Sequence, residues 1–521
     1  MVASNTSSLE VTWPATKAAA SPLPPLPAAS YSLDHIPTEI WQHIFSLLVV
    51  SEQHIVCEEM FRSVLGNDRY APPSTSSCLL PRTPTTLSHV SVRWRSIAYG
   101  MPEIWSMLCV TAPCTPASDA GMRRLHRVGD LVTSWLARSA SLPLKLSVVA
   151  KKNVRCAQTV LRSLLPACAR WETLHVDVPF SALSILAELK QGNVPLLASV
   201  KMYERCYPPA AFIGQMASSN PSSVDKFHLC RISGSLRRLS VSSIPPTTPD
   251  GNAFCSHLQE VQIQESPSET WSTLRFLTAC PQLRVLSLNG YGTTADLPAL
   301  HNHAVTLPEL EVLNLEHPFG RDWLLRMLTL PKLKSLYLGG RCSGDAAHIL
   351  NEVRALMKRS ALGSLECLCL ELESHGLDHS ILVDFLAANP LLHTLDIDDF
   401  GVFMDRPLVT TEMLEALTLS DARQNRSKPE QARAICPHLK FVSFENCSRF
   451  NEEALLRFLR SRSTHHRVNP TPRRGWVDAE QQNDCGMSVL ESVEVSFKRR
   501  MQSAALEAWK RETFVMNGPS A

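Results

Sequence analysis

The sequence has little glycine, almost no net charge, no long apolar run and no C-x-x-C pair of cysteines. With only 20 glycines among 521 residues, it offers little material for phosphate sites lined by backbone. Neither a P-loop, a G-x-S-x-G motif nor an H-E-x-x-H motif occurs. No run of ~18 apolar residues is present, which argues against a membrane-spanning helix. The formal net charge of +2 provides no general field for nucleic acid or membrane. We therefore predict no catalytic site, no nucleic-acid partner and no membrane partner.

The 16 cysteines do not form a metal-binding or disulfide pattern. No C-x-x-C pair occurs, and the closest spacing is Cys367-Leu368-Cys369. Structural zinc sites need closely paired ligands, so we predict no metal and no cofactor. Residues 1–30 lack the basic and then apolar order of a signal peptide, and their Pro, Ala and Ser content predicts a disordered leader. We expect a reducing location, in the cytoplasm and/or the nucleus.

A repeated phrase, L-x-x-L-x-L, organises the C-terminal half of the chain. Apolar residues at every second position predict a short strand with one buried face, and the segments between copies have helical spacing. A proline often precedes the next copy, where it ends the helix and favours extended backbone. From Leu258 to Leu439 the copies are spaced by 22 to 32 residues, which matches one strand and one helix per turn of a solenoid. Their first residues are Leu283, Leu310, Leu333, Leu365, Leu392, Leu414 and Leu439, with weaker copies at Leu258 and Leu490.

These repeats resemble the leucine-rich repeat family over about residues 236–500. The resemblance implies an α/β solenoid, or horseshoe, of short parallel strands and helices. The family phrase continues to an Asn or Cys that bonds the turn backbone, and in this sequence only Cys447 fits that position. We interpret residues 107–235 as degenerate repeats that cap the array, so that the array spans 107–514 and a disordered tail covers 515–521.

Two apolar helices are predicted upstream of the array, within a helical domain at 31–106. The first begins near Pro37, and the second spans Leu87–Tyr99 with Thr85 or Thr86 as its cap. Residues 52–84 between them are polar and contain Pro and Ser, which indicates an insertion. The first helix has apolar residues around most of its circumference, so other protein segments must cover it on more than one side.

The segments Ile36–Leu48 and Leu87–Ala98, followed by Pro102-Glu-Ile-Trp105, resemble an F-box of the fungal type with a degenerate leucine-rich body. The resemblance implies docking on a Skp-type linker protein and, through it, on a cullin of an SCF ubiquitin ligase. The repeats would then recruit an unidentified protein substrate. The stretch between the two segments is longer than in a compact F-box, so no contacts are assigned to the middle helix. The residues that the resemblance places at the linker interface are Pro37, Ile40, Ile44, Phe45, Leu48, Val90 and Trp94.

Other functions remain open on the sequence alone. The helices could merely cap a leucine-rich repeat scaffold with no ligase role, and an enzyme within 107–235 is a third alternative. Clustered carboxylates at Glu371, Glu373, Asp396 and Asp398 are expected to face solvent at strand ends. The arginines and histidines in the segment 460–484 are expected to form a solvated basic loop.

Overall fold

The chain forms one long parallel sheet whose strands follow one another in sequence order. The computed structural model describes residues 35–65, 79–80, 82–111, 119–150, 153–203, 228–242, 252–264, 270–289, 304–316, 322–363, 365–375, 379–398, 407–419, 434–447, 450–463 and 490–497. The leader and the tail predicted from the sequence lie outside these residues. Within these residues the sheet has 14 strands, and all neighbours pair in parallel except the first two, which are antiparallel.

Each sheet strand after the first adds one turn to the array. The strands of the main sheet are β1 Leu79–Leu80, β2 Met107–Thr111, β3 Leu144–Val149, β4 Trp171–Asp177, β5 Ser199–Tyr203, β6 Arg238–Val241, β7 Glu260–Ile263, β8 Val285–Leu288, β10 Val312–Glu316, β12 Ser335–Asp345, β13 Cys367–His375, β14 Thr394–Asp398, β15 Phe441–Cys447 and β16 Ser492–Phe497. A separate two-stranded parallel pair consists of β9 Val305–Thr306 and β11 Leu328–Thr329.

Helices cover one face of this sheet and also form the N-terminal unit. They are α1 Thr38–Leu65, α2 Thr83–Val90, α3 Val92–Tyr99, α4 Asp119–Arg138, α5 Val154–Leu164, α6 His228–Ile232, α7 Thr270–Thr278, α8 Asp322–Met327, α9 Ala346–Arg359, α10 His379–Ala387, α11 Thr411–Leu417 and α12 Glu452–Ser461. Short 3-10 helices occupy Pro102–Trp105, Leu165–Arg170, Phe180–Glu188 and Asn252–His257.

The repeated leucines form the core, which confirms the leucine-rich-repeat-like body. Leu286 and Leu288 are 0% and 4% exposed, and Leu286 is in register with Leu313 of the next turn. Residues 107–203 supply strands β2 to β5 of the same sheet, so the irregular repeats continue the array. In five turns a proline stands four residues before the strand begins: Pro281, Pro308, Pro331, Pro390 and Pro437. A helix ends three residues before Pro281 and Pro390, as expected, whereas Pro308 and Pro331 follow the short strands β9 and β11.

One predicted repeat is wrong. The copy that begins at Leu414 lies in helix α11, and no strand forms between β14 and β15 in the described part of this turn. Thr410 caps the helix by accepting a hydrogen bond from the Met413 amide at 3.2 Å. Leu414 and Leu417 are both buried, because a spacing of three residues also fits one face of a helix.

Three arginines donate hydrogen bonds to backbone carbonyls at or shortly after the ends of helices α4, α8 and α11. Arg170 donates to the Leu142 oxygen at 3.0 Å, and Arg359 donates to the Leu328 oxygen at 3.2 Å. Arg462 is 2% exposed and donates four hydrogen bonds to carbonyl oxygens. The expectation that Arg462 belongs to a solvated basic loop is therefore wrong, because its side chain lies inside the array. Residues 464–489 of that segment lie outside the described residues.

The N-terminal helices share a continuous core with the array. Trp105 is fully buried, and its ring centroid lies 4.7 Å from that of Trp135 in α4. The Trp105 indole donates to the Ala98 oxygen at 2.8 Å, and the Trp135 indole donates to the Met107 oxygen at 3.2 Å. Such edge-on aromatic pairs contribute about 1 kcal/mol beyond the area that they bury. The junction therefore fixes α1–α3 against the first turns.

Two further properties concern the described residues alone. None of their helices is both long and apolar enough to cross a membrane. No group of three or more His, Cys, Asp or Glu side chains in these segments is arranged to hold a metal ion.

Candidate interaction surfaces

An aromatic cluster organises the helical unit, which comprises residues 35–106. Trp41 and Phe45 lie one turn apart on α1, and Trp94 of α3 packs between them. The Trp94 ring centroid is 4.6 Å from that of Trp41 and 5.1 Å from that of Phe45. Trp41 and Phe45 are 7% and 0% exposed. The cluster holds α1 against α3.

Polar contacts lock the same helices together. The Glu52 carboxylate of α1 accepts hydrogen bonds from the backbone amides of Arg82 at 2.6 Å and Thr83 at 2.9 Å. It thereby caps α2, whose own N-cap residue does not cap the helix with its side chain. Arg93 of α3 donates to the Ile36 carbonyl oxygen at 2.5 Å. These hydrogen bonds hold the helices together at two points. Glu52 joins the middle of α1 to the start of α2, and Arg93 joins α3 to Ile36, just before the start of α1.

The single helix predicted over Leu87–Tyr99 is in fact two helices. Ser91 interrupts it in an extended conformation with φ of −154° and accepts a hydrogen bond from the Trp94 amide at 3.1 Å. The predicted caps are also wrong, because α2 begins at Thr83. Furthermore, α1 continues through Leu65, so the first part of the predicted insertion is helical.

The predicted linker contacts divide into exposed, half-buried and buried residues. Ile40, Leu48 and Val90 are 51%, 47% and 56% exposed, and Pro37 is exposed as well. Ile44 and Trp94 are half-buried against the core. Phe45 has no exposed surface. Its assignment as a direct partner contact is therefore corrected: it packs beneath the surface and supports the exposed residues.

Sequence reasoning omitted Leu47 from this surface. Leu47 is 57% exposed, and it follows Ile40 by seven residues, or two helical turns. At about 100° per residue, Ile40, Leu47 and Leu48 lie within a ~100° arc of α1. We call these three residues the α1 row. The seven-residue spacing was visible in the sequence, but only the burial of Trp41 and Phe45 shows which side of the helix remains open.

A second surface is the sheet face opposite the helices, which we call the open face. On β8, for example, Leu286 and Leu288 point into the core while Ser287 between them is half-buried. The side chains at this position form a register row across the sheet, from β3 to β16. The row is Ser147, His175, Lys201, Ser240, Gln262, Ser287, Asn314, Tyr337, Cys369, Asp396, Ser443 and Glu494.

A groove of about 390 Å³ lies on the open face between β7 and β13. Its lining includes Asn289, Asn314 and Glu316. The Asn314 amide donates to the Ser287 hydroxyl at 3.0 Å, which joins neighbouring turns across the floor. Hydroxyl, amide and carboxylate groups therefore line this groove together with apolar groups and the thiols of Cys367 and Cys369.

Tyr337 connects the groove to the carboxylates beyond it. Its hydroxyl donates to the Glu371 carboxylate at 2.6 Å. Burial first, and then the hydrogen bond and charge of Glu371, raise the pKa of Tyr337, so the hydroxyl remains a donor at neutral pH. Beside it, a hydrogen bond from Cys369 lowers the pKa of Cys367 to about 7 and raises that of Cys369.

The N-terminal part of the open face holds a buried histidine. His175 Nδ1 lies 3.1 Å from the Ser147 hydroxyl, and its ring meets the Tyr203 ring edge-on at 5.4 Å. Burial, with a smaller contribution from Lys201, lowers the pKa of His175 to about 4. The side chain is therefore neutral at physiological pH and serves packing in this position.

The acidic residues noted in the sequence lie within strands as well as at their ends. Glu371 is in β13, and Asp396 and Asp398 are in β14, all half-buried. Asp398 accepts a hydrogen bond from the Asn446 amide at 2.7 Å. The sequence suggested clustered carboxylates that face solvent at strand ends, whereas these three side chains are half-buried and the register brings them onto adjacent strands of one face.

No protein-family model and no curated protein sequence matches this chain. Two solved structures are similar at low identity. An internalin from Listeria monocytogenes is 13% identical over 62% of this chain and 93% of its own, with a TM-score of 0.27. A TLR13–ssRNA13 complex is 15% identical over 62% of this chain and 49% of its own, with a TM-score of 0.22. The repeat architecture itself follows from the strand order and register described above.

Proposed function

We propose that this chain is a non-catalytic adaptor that docks on a Skp-type linker protein through the helical unit and holds a protein target on its repeats. The observation that carries the proposal is the α1 row. Its three members are about half exposed, at 51%, 57% and 47%, although they are large and apolar. Clustered apolar surface of this kind is typical of protein–protein interfaces.

The aromatic cluster packed beneath the α1 row makes this surface rigid, which suits a binding site for a partner. Trp41 and Phe45 are locked against Trp94, so α1 needs little ordering when a partner binds. Completing the burial of each row residue would contribute about 1 kcal/mol, since a fully buried leucine or isoleucine contributes ~1.5–3 kcal/mol. Val90, at the end of α2, adds an exposed apolar side chain on the same helical unit.

On this proposal the linker connects the chain to a cullin, and other subunits of the SCF ligase carry out ubiquitin transfer. The chain itself only positions the target near these subunits, so it needs no cofactor. The open face with its groove is the surface on which the target is held.

A second function has its own support. The Trp105–Trp135 junction makes the helical unit continuous with the array, as expected of an N-terminal cap on a binding scaffold without a ligase role. The two proposals differ in whether the α1 row is an interface.

Co-expression with a Skp-type linker and affinity purification tests the difference. We expect the wild-type chain to retain the linker and Ile40→Asp and Leu48→Asp each to lower the retained amount at least tenfold, because each places a charge in an apolar interface. The matched control is Leu131→Asp on α4, which changes a leucine of similar exposure, 49%, outside the helical unit.

Circular dichroism of all variants checks that the row substitutions leave the fold intact, as their exposure predicts. If the wild-type chain fails to retain the linker, or if the row variants retain as much as Leu131→Asp, the docking proposal is wrong. The scaffold function would then be the better one.

A further inference from the structure

The open face between β10 and β15 combines an acidic edge with an apolar edge. Toward the ends of the strands, the register row passes from Glu316 through Gly339 to Glu371 and ends with the pair Asp398 and Glu445. Asp396 lies one position nearer the middle of the face. The open-face positions in register with Val312, Asn314 and Glu316 on the neighbouring strands include no lysine or arginine, and Arg341 follows Gly339 by two residues further along β12.

Side chains at the beginning of the same strands are less polar. Val312 of β10 is half-buried there, and Phe441 of β15 is 41% exposed. Ser335, Cys367 and Thr394 occupy the three strands between them. A chain lying across these strands would therefore meet carboxylates along one side and apolar or neutral groups along the other.

Two of the carboxylates are held in place by neutral donors. Glu371 accepts from the Tyr337 hydroxyl at 2.6 Å, and Asp398 accepts from the Asn446 amide at 2.7 Å. Neutral donors orient a carboxylate while leaving its charge in place. Gly339 makes the first contact possible, because a methyl group at this position would overlap the Tyr337 ring. The acidic edge is thus oriented before any partner arrives.

We propose that the open face from β10 to β15 binds an extended, lysine- or arginine-bearing segment of a partner protein. The inference deepens the proposed function by naming the chemistry of the target, and it rests on the array being the target-binding part. Charge complementarity selects this occupant, since a cationic side chain would pair with the oriented carboxylates and its aliphatic stem would cover the neighbouring groove.

The dimensions agree with a short linear segment. Four strand-to-strand steps separate β10 from β15 in the sheet order, which at ~4.8 Å each amounts to about 19 Å. An extended chain advances ~3.3 Å per residue, so about six residues span the acidic edge. Basic residues at alternate positions would all face the same side of such a chain.

The test uses the full chain and a fluorescein-labelled peptide of about twelve residues in which lysine alternates with threonine, long enough at ~3.3 Å per residue to exceed the acidic edge. Binding is measured by fluorescence anisotropy near physiological ionic strength, where charges farther apart than ~8 Å are screened. We expect the double variant Glu371→Gln, Asp398→Asn to bind about tenfold more weakly than the wild-type chain.

The matched control is the double variant Asp130→Asn, Glu188→Gln. It makes the same change in net charge at exposed positions on the helical side of the array. We expect its affinity to stay within about twofold of the wild-type value, because screened distant charges contribute little. A peptide with glutamate in place of lysine should not bind.

The proposal is overturned if the wild-type chain does not bind the lysine peptide or if both double variants lose affinity equally. A wild-type dimer that dissociates on Glu371→Gln, Asp398→Asn would also overturn it, because the face would then bind a second copy. Measuring whether the Glu371→Gln, Asp398→Asn variant still retains the Skp-type linker distinguishes failure of this inference from failure of the docking proposal. Lost peptide binding with retained linker concerns the target surface alone, whereas lost linker binding in the wild-type chain concerns the dock.

Discussion

Replacing Arg462 by lysine should lower the free energy of unfolding by about 4 kcal/mol, since two of three buried carbonyls would lose a charged donor at ~1–3 kcal/mol each. Arg462 Nε and Nη2 donate to the Leu417 oxygen at 3.1 and 2.7 Å. Nη1 donates to the Cys436 oxygen, and Nη2 also donates to the Ile435 oxygen, both at 2.8 Å. A single ammonium nitrogen cannot reproduce the planar fork that reaches all three acceptors.

The cost of burying this cation is already present in the wild-type chain. Burial lowers the pKa of Arg462 to about 10, so the guanidinium still carries its charge at neutral pH. Lysine would bear a similar burial cost with fewer hydrogen bonds to offset it, which makes the substitution unfavourable despite equal charge.

Urea unfolding followed by circular dichroism provides the measurement, and hydrogen exchange of residues 434–447 locates the effect. The matched control is Arg457→Lys on α12. Arg457 is 53% exposed and pairs with Glu415 at 3.3 Å, so its substitution should change stability by less than ~1 kcal/mol. If Arg462→Lys is no more destabilising than Arg457→Lys, the carbonyl contacts of Arg462 do not stabilise the array as argued.

Three further substitutions have defined outcomes. His175 has a pKa of about 4 when folded and ~6.5 when unfolded, so its contribution is fully present above pH ~6.5 and is lost as pH falls toward 4. Unfolding curves from pH 7 to 4 should therefore fall less steeply for His175→Phe, and equal slopes would contradict this. Glu52→Gln should destabilise the helical unit by about 1 kcal/mol in thermal unfolding, since it weakens the cap of α2; an unchanged midpoint would remove that role. Gly339→Ala should displace the Tyr337 ring and weaken lysine-peptide binding, with unchanged anisotropy titrations as the contrary result.

Most of the array could be predicted because its leucines repeat with a strand period. Leu286 and Leu288 are buried as expected, and even the weak copy at Leu258 precedes a strand, β7. The same phrase failed at Leu414, because L-x-x-L satisfies one face of a helix as well as the start of a strand. The Thr410 hydroxyl caps a helix at this position by accepting a hydrogen bond from the Met413 amide. A search for repeated leucines does not detect such a local contact.

The surfaces were harder to predict because they depend on contacts between distant residues. Phe45 and Leu48 are both apolar residues of one helix, yet only packing against Trp94 determines that Phe45 is buried and Leu48 exposed. Similarly, Glu371 and Asp398 are 27 residues apart in sequence, and the strand register brings them onto adjacent strands. Sequence patterns identify the side chains that can be used, and the fold determines which of them meet.

The sequential strand order also sets the distance along the sheet between the helical unit and the acidic edge. The sheet order from β2 to β13 contains nine strand-to-strand steps, which amount to about 43 Å along the sheet at ~4.8 Å each. Gain or loss of one turn would move anything held at Glu371 by a single strand spacing relative to α1, without altering either surface. Evolution could therefore adjust the reach of such a chain by duplication or deletion of turns, independently of what it binds at each end.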